Sequence, residues 1–439
     1  MRGQYLRGVQ VAGGTFSGTV ASQDPEDRQS QARWSRSSPA MGGGALPGAA
    51  KRCGSYLGQA RHWQVSRLLQ RALRTGAVAA AIIAIFLTGA GATQASTGGP
   101  PGSYPAAPWR AFERVKLSHL AWFEGVVAAS RSDAWAIGQE AAGHGTRTTG
   151  GFALHWNGVR WVRVGMPVSR FIPVSVSALG SSGAWIFGYQ ADPSNVLQSR
   201  AYAAVWNRGR WRVIPLPSGP AISWTFLNDL QSAVVSGQDV WVIGTSYGLN
   251  ETHIRTVLWN WNGSGWTSSA LPAAGPESLA AVPGATWVTT VAGHGTTTAW
   301  EQTGSGWRRY RLPYVTDGTV AIDSPANAWI AGGSSGRAVT YMLHWNGHRW
   351  TRSQTPLAGN WGTATSDGHT GVWFGQWAHE TGGRWYEPTA LPSWRGCAAA
   401  DADAVVAPVP GTTALWLVDT CITVHDASEF PVIGIRGRL

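Results

Sequence analysis

The sequence predicts an all-β fold: a seven-bladed β-propeller whose last blade is completed by an N-terminal strand. Three observations predict it. A Trp-centred apolar run returns every 42 to 56 residues, a Gly-containing turn into a second Trp follows it, and no window of the repeat carries a helical stripe.

The first marker stands at Trp135, Trp185, Trp241, Trp287, Trp329, Trp373 and Trp416, with separations of 50, 56, 46, 42, 44 and 43 residues. Those intervals fall in or near the roughly 40–50 residues of a four-stranded propeller blade. The second marker stands at Trp161, Trp211, Trp266, Trp307, Trp350 and Trp385, and a Pro closes each following segment, with blade six a residue or two out of step. Blade two reads most plainly as four strands, over 174–180, 184–190, 200–207 and 211–217. Val, Ile, Trp and Tyr fill the runs, while Gly, Ser, Asn and Pro separate them. Asn-Gly at Asn157-Gly158, Asn262-Gly263 and Asn346-Gly347 supplies positive φ for the hairpin between strands three and four.

Seven first markers meet only six second markers downstream of them. The missing one lies at Trp109: residues 109–117 read like the fourth strand at 307–313 and are predicted to zip onto the C-terminal blade, removing an exposed sheet edge. Blade six is the irregular unit. Trp373 and Trp385 stand 12 residues apart against 26 between the corresponding pair in blade two, which predicts the loss of most of a strand.

Ser130 to Gly138 (Ser-x-x-Asp-Ala-Trp-Ala-Ile-Gly) and Trp156 to Trp161 (Trp-Asn-Gly-x-x-Trp) resemble the Trp-rich propeller repeats of secreted bacterial proteins described as kelch-like or galactose-oxidase-like, over roughly residues 105–439. The resemblance implies the fold and leaves the activity open, because propellers host many unrelated functions. Ser366-Asp367-Gly368-His369-Thr370-Gly371-Val372-Trp373 only approaches the Asp-box of sialidase propellers, and the Tyr/His copper site of galactose oxidase is not assignable.

Charge divides the chain unequally. Residues 1–75 hold 11 Lys/Arg and 3 Asp/Glu, whereas residues 76–439 hold 23 and 20. The basic excess thus belongs mostly to the head, which argues against a nucleic-acid partner for the folded part. Residues 1–64 are rich in Gly, Ser, Arg and Gln without periodicity, a composition expected to be disordered, or to come from an over-extended start with Val65 as the true initiator. From Val65 the chain reads as an export signal: Arg67, Arg71 and Arg74, an apolar core over 77–87, then small residues with a cleavage site at Ala90-Gly91-Ala92 or Thr93-Gln94-Ala95. The apolar core is short of the roughly 20 residues that span a bilayer. The rival reading is a single-pass anchor, with membrane contact only if the 77–92 segment stays uncleaved. Residues 96–108 form a linker, and the propeller occupies 109–439.

Cys397 and Cys421 flank the first two strands expected of blade seven, at one end of its sheet, so a disulfide is geometrically reasonable there; two buried thiols is the alternative.

The recurring Trp read as core. Burying one contributes up to roughly 4–6 kcal/mol at about 25 cal/mol/Å². Tight turns join strands one to two and three to four; longer connections join two to three and blade to blade, all at one end, which is the expected ligand face. Its inter-blade segments carry Trp122, Phe171, Trp224, Tyr314, Trp361 and Trp394, with Arg170 and Arg395 beside two of them. They read either as stacking platforms for a sugar or apolar peptide, or as caps on the core. His144 and His294 read as polar turn residues, and His155 and His344 as repeat positions with satisfied hydrogen bonds.

No catalytic, metal or cofactor constellation is legible. Two Gly-x-Ser-x-Gly stretches, at 244–248 and 332–336, follow second strands and lead into further strands, unlike a nucleophile elbow. Paired carboxylates for glycoside hydrolysis stay open at Asp229, Asp317 and Asp323. The sequence therefore points to an exported, monomeric, non-catalytic binding or scaffolding module for a protein or cell-envelope ligand; a carbohydrate-binding propeller is the alternative, and a glycoside hydrolase or lyase a further one.

Overall fold

A computed structural model describes residues 108–439, apart from 118–119, 142–147, 181–182, 191–199, 218–229, 248–253, 270, 272–275, 293–295, 313–315, 335–336, 359–362, 376–377, 387–393, 395–396, 401–403 and 424–428. The expected head, signal or anchor segment and nearly all of the linker lie outside the described residues.

Every described element is a strand, and seven antiparallel sheets form a seven-bladed propeller. Strand β1 (Trp109–Arg114) precedes blade one, which is β2 (Leu120–Ser130), β3 (Asp133–Ala141), β4 (Thr148–Trp156) and β5 (Trp161–Val164). Blade two is β6 (Phe171–Ala178), β7 (Ala184–Gln190), β8 (Arg200–Asn207) and β9 (Arg210–Pro215). Blade three is β10 (Gln231–Ser236), β11 (Asp239–Tyr247), β12 (Ile254–Trp261) and β13 (Trp266–Ser269). Blade four is β14 (Pro276–Val282), β15 (Ala285–Ala292), β16 (Thr296–Thr303) and β17 (Gly306–Arg311). Blade five is β18 (Thr316–Ser324), β19 (Asn327–Ser334), β20 (Arg337–Trp345) and β21 (Trp350–Ala358). Blade six is β22 (Ala364–Ser366), β23 (Val372–Phe374), β24 (Ala378–Thr381) and β25 (Arg384–Tyr386). In blade seven the inner strand is split into β26 (Cys397–Ala400) and β27 (Val405–Pro408), both paired with β28 (Leu415–Thr423), which pairs β29 (Glu429–Arg436).

β1 pairs antiparallel with β29, with Trp109 opposite Arg436 and Arg114 opposite Val432. The N-terminal strand therefore closes the ring as the missing second marker predicts. Blade six keeps all four strands, which corrects the expected loss of one: the shortening is spread so that each has only three or four residues.

The two Trp markers recur because they meet across blade boundaries. The second-strand Trp of one blade packs against the Trp on the outer strands of the next. Trp135 lies 5.3 Å from Trp211, Trp185 6.4 Å from Trp266, Trp241 6.4 Å from Trp307 and Trp287 5.1 Å from Trp350. Trp329 shares a core cluster with Trp385, and Trp373 shares one with Trp109. Trp416 completes the circuit 5.1 Å from Trp161, nearly edge-on. A large aromatic is the economical filler here, since sheets diverge outward and a wide ring bridges the wedge while burying much apolar area.

Nearer the axis, where the sheets converge, polar side chains stitch consecutive inner strands. Ser177 and Ser175 hydroxyls each lie 2.8 Å from that of Ser232. The Leu279 amide donates to the Gln231 side chain, the Val320 amide to Ser278, and the Ala364 amide to Thr319. Inner strands have no neighbouring strand on the axial side, so the Gln231, Ser278 and Thr319 side chains satisfy backbone donors that would otherwise be orphaned.

The Asn-Gly hairpins are four-residue turns. Gly158, Gly263 and Gly347 sit at φ of +88°, +92° and +86°. The preceding Asn side chain accepts from the next two turn amides, as Asn157 does from Val159 and Arg160.

Candidate functional site

The two ends of the ring differ. One is closed by short turns: Arg131-Ser132 between β2 and β3, Gly237-Gln238 between β10 and β11, Pro325-Ala326 between β18 and β19, and the Asn-Gly hairpins. The other carries every second-to-third-strand and inter-blade connection, from two residues at 335–336 to the long stretches 191–199, 216–230 and 387–396. In blades four to six the second-to-third-strand connections are short, so the expected asymmetry is concentrated in blades one to three and seven.

Trp122 lies within β2, at the loop end of an innermost strand, and not in a connection. It is half-buried; its indole N–H donates to Glu124 Oε1 at 2.8 Å, and Gln139 Nε2 donates to the same oxygen at 2.8 Å. An indole face, a carboxylate and an amide thus converge at the mouth of the ring. Phe171 opens β6 and is fully buried in a cluster with Ile137 and Ile186. Arg170 beside it is exposed, with the left-handed φ of +55°. Trp394 is buried between blades six and seven with Trp109 and Trp373. Trp224, Tyr314, Trp361 and Arg395 lie outside the described residues, as do His144, His294 and Asp229.

Cys397 and Cys421 form a disulfide, with 5.5 Å between their Cα atoms. Both sit inside strands, Cys397 on β26 and Cys421 on β28, so the bridge staples two adjacent strands and does not flank them as the sequence suggests.

Polar residues at the tight-turn end form a repeated device. In blades one, five and six, a His on the third strand stacks on the second-strand Trp: His155 on Trp135, His344 on Trp329 and His379 on Trp373. An acid or amide faces each His. Asn327 lies 2.7 Å from His344 Nε2, and Asp367 lies 2.9 Å from His379 Nε2. Asp133 lies 3.5 Å from His155 Nε2 without a hydrogen bond, so that His is not satisfied there as expected. Burial holds the His344 imidazole below its ordinary pKa. Burial would raise the Asp367 carboxyl, but His379 and the backbone amides of His369 and Gly371 outweigh it and hold the group below the usual carboxylate range.

In blades one and five the partner stands two residues before the Trp, as Asp133 and Asn327. Blade six has Gly371 at that position. A Cβ on Gly371 would collide with the Glu380 carbonyl and the Asp367 carboxylate. Asp367 reaches back from four residues upstream and fills the vacated place. Its other oxygen accepts from the amides of His369, Thr370 and Gly371 at 2.8, 3.2 and 3.0 Å. The weak Asp-box resemblance thus marks a structural turn. The signal that locates the device in sequence is an Asp or Asn two residues before the Trp together with a His opposite it.

Asp323 lies at the tight-turn end and takes a long hydrogen bond from Asn327 at 3.4 Å. Burial pushes its carboxyl up. Both Gly-x-Ser-x-Gly stretches run largely along second strands, β11 and β19. Among the described residues no group of three or more His, Cys, Asp or Glu could hold a metal ion. An open depression of about 560 Å³ at the tight-turn end is lined by Arg131, His369, Gly411, Thr412, Thr413 and Arg438 among others, and Arg131 already donates to the Gly411 carbonyl at 2.9 Å.

No family model matches the chain, and no curated protein matches it. Among solved structures it is similar to a protein of unknown function from Dyadobacter fermentans, at 10% identity and a TM-score of 0.45, covering 75% of this chain and 98% of that one. It is also similar to the fucose-specific lectin from Aleuria aurantia, at 12% identity and a TM-score of 0.37, over 55% and 79% of the two chains. Trypanosoma rangeli sialidase gives 10% identity and a TM-score of 0.42, over 75% of this chain and 57% of that one. The fold assignment rests on the strand pairing, and these similarities carry no argument about what the chain binds.

Proposed function

We propose that the chain is an exported binding or scaffolding module whose ligand, a protein or cell-envelope component, docks on the end of the ring that carries the long connections. The inequality of the two ends carries this reading. The tight-turn end spends its polar groups on its own turns and blade contacts, with Asp367, Asn327 and Asn157 as examples. The opposite end carries the long and variable connections, where binding residues concentrate on rigid scaffolds. The Cys397–Cys421 disulfide fits an oxidising compartment. The test is co-sedimentation with isolated cell envelopes. Shortening 216–230, which removes Trp224, abolishes it, whereas Asn157→Ala at the other end leaves it intact. Equal loss in both, or none in either, overturns the reading.

A carbohydrate ligand is the second reading, favoured by the Trp122–Glu124–Gln139 group: a sugar presents an apolar face to an indole and hydroxyls to a carboxylate and an amide. Arg170, Trp224, Tyr314, Trp361 and Arg395 are proposed to extend that surface, with Phe171 and Trp394 packed beneath it. A glycan array decides it: spots lost on Trp122→Ala with folding retained support a lectin, and a blank array removes the reading.

A further inference from the structure

The outermost strand of each blade is a sheet edge with unpaired backbone groups, and together these strands form the outer rim of the ring. Edge strands are commonly protected by charge. Here the charge has one sign. Arg208, Arg210 and Arg212 stand on β9 and its turn, and Arg308, Arg309 and Arg311 on β17; all are exposed. The outer strands and turns of blades one, five, six and seven add further exposed cations, and only that of blade three has none. Against all of them, the described residues of the rim hold a single acid, Glu113.

Edge protection by itself does not explain this. It requires charge and is indifferent to sign, and a mixed rim would also spare the ring its self-repulsion. Nor does local pairing explain it. Arg163 meets Glu140 at 2.8 Å and Arg308 meets Glu301 at 3.7 Å, whereas Arg208, Arg210, Arg212 and Arg311 form no ion pair among the described residues. The cations are also of one kind. Lys116 is the sole lysine after residue 51, and arginine is the side chain that grips phosphate or carboxylate with two parallel donors. Near-balanced totals for the folded part conceal the pattern, because the described acids other than Glu113 stand on first, second and third strands or in turns and not on the outer strands.

We infer that the rim of blades four to two, running through the closing blade, binds a linear polyanion whose repeating phosphate or carboxylate groups follow the arginines around the perimeter. A flat anionic membrane is the poorer fit, since the arginines stand on the outer strands and turns of successive blades around the perimeter, and a plane laid against that perimeter touches only one or two blades. The surface is separate from the loop-bearing end, so the inference does not depend on the ligand proposed there.

The experiment uses the full chain with the Lys and Arg of residues 1–75 changed to Gln, so that the basic head does not contribute, and compares it with the same chain carrying Gln at 208, 210, 212, 308, 309 and 311. Retention is measured on immobilised polyphosphate and on alginate, which separate phosphate from carboxylate recognition, and on vesicles containing phosphatidylglycerol. The expected result is salt-sensitive retention of the parent on one of the polymers. The six-fold variant should bind on the order of tenfold more weakly or worse, with a log–log salt slope lower by about one per lost contact. A variant with Glu at the same six positions keeps the edges charged, so its loss of retention without aggregation separates recognition from edge protection. Retention unchanged in the variants, no retention of the parent at physiological salt, or retention on vesicles alone overturns the proposal.

Discussion

His379 Nε2 lies 2.9 Å from Asp367 Oδ2, with both side chains sealed from solvent and the imidazole stacked on the Trp373 ring. Asp367 is held below the usual carboxylate range, and a carboxyl with a depressed native pKa stabilises the fold at pH values above its unfolded pKa of about 3.9. That contribution is lost as pH falls through the native value. Thermal melts across pH should therefore show an acid limb below pH 4 that is reduced in Asp367→Asn. The variant should cost about 2–3 kcal/mol near neutral pH, because a charge-assisted bond is lost. An unchanged acid limb would count against the assignment.

Gly371→Ala should destabilise by about 1–3 kcal/mol, since the added methyl has backbone on one side and a carboxylate on the other. The double variant Gly371→Asp with Asp367→Ala transplants the blade-one arrangement. It should recover part of the loss, measured as a favourable coupling in a double-mutant cycle of urea denaturation.

Two Trp at equivalent positions should respond differently to Phe. The Trp135 indole donates to Asp133 Oδ1 at 2.8 Å, whereas the buried Trp416 indole N–H has no acceptor among the described residues. Trp135→Phe should therefore cost about 1–2 kcal/mol more than Trp416→Phe. Equal losses would mean that packing alone sets both.

Closure of the ring should be separable into a strand and a staple. Trp109→Ala removes a buried ring that joins β1 to blades six and seven and should cost about 3–5 kcal/mol. Reducing Cys397–Cys421, which closes a 24-residue separation, should cost about 3 kcal/mol in the chain-entropy account. Denaturation with and without reductant, on each variant, gives both values.

The strand pattern, the blade count and the N-terminal closing strand are legible in the chain because they depend on spacing: a Trp must reappear at each sheet boundary, and spacing survives in one dimension. Trp122 shows the limit. Its neighbours in sequence place it near a loop, but the register of β2 against β3 brings Gln139 beside it at Glu124. The Asp367 substitution for a side chain at 371 is likewise invisible, because two different local sequences deliver an oxygen to one point in space.

An all-β ring of seven repeats and its manner of closure follow from the order of residues alone, since periodicity and hydrophobic content dictate which surfaces must be buried. It took the folded ring to show which aromatics are sunk in the core, which acids are consumed by histidines, and that arginines from Arg110 to Arg384 share one rim. Charge and hydrogen bonding act through distance, and distance between blades is set by the ring and not by the chain.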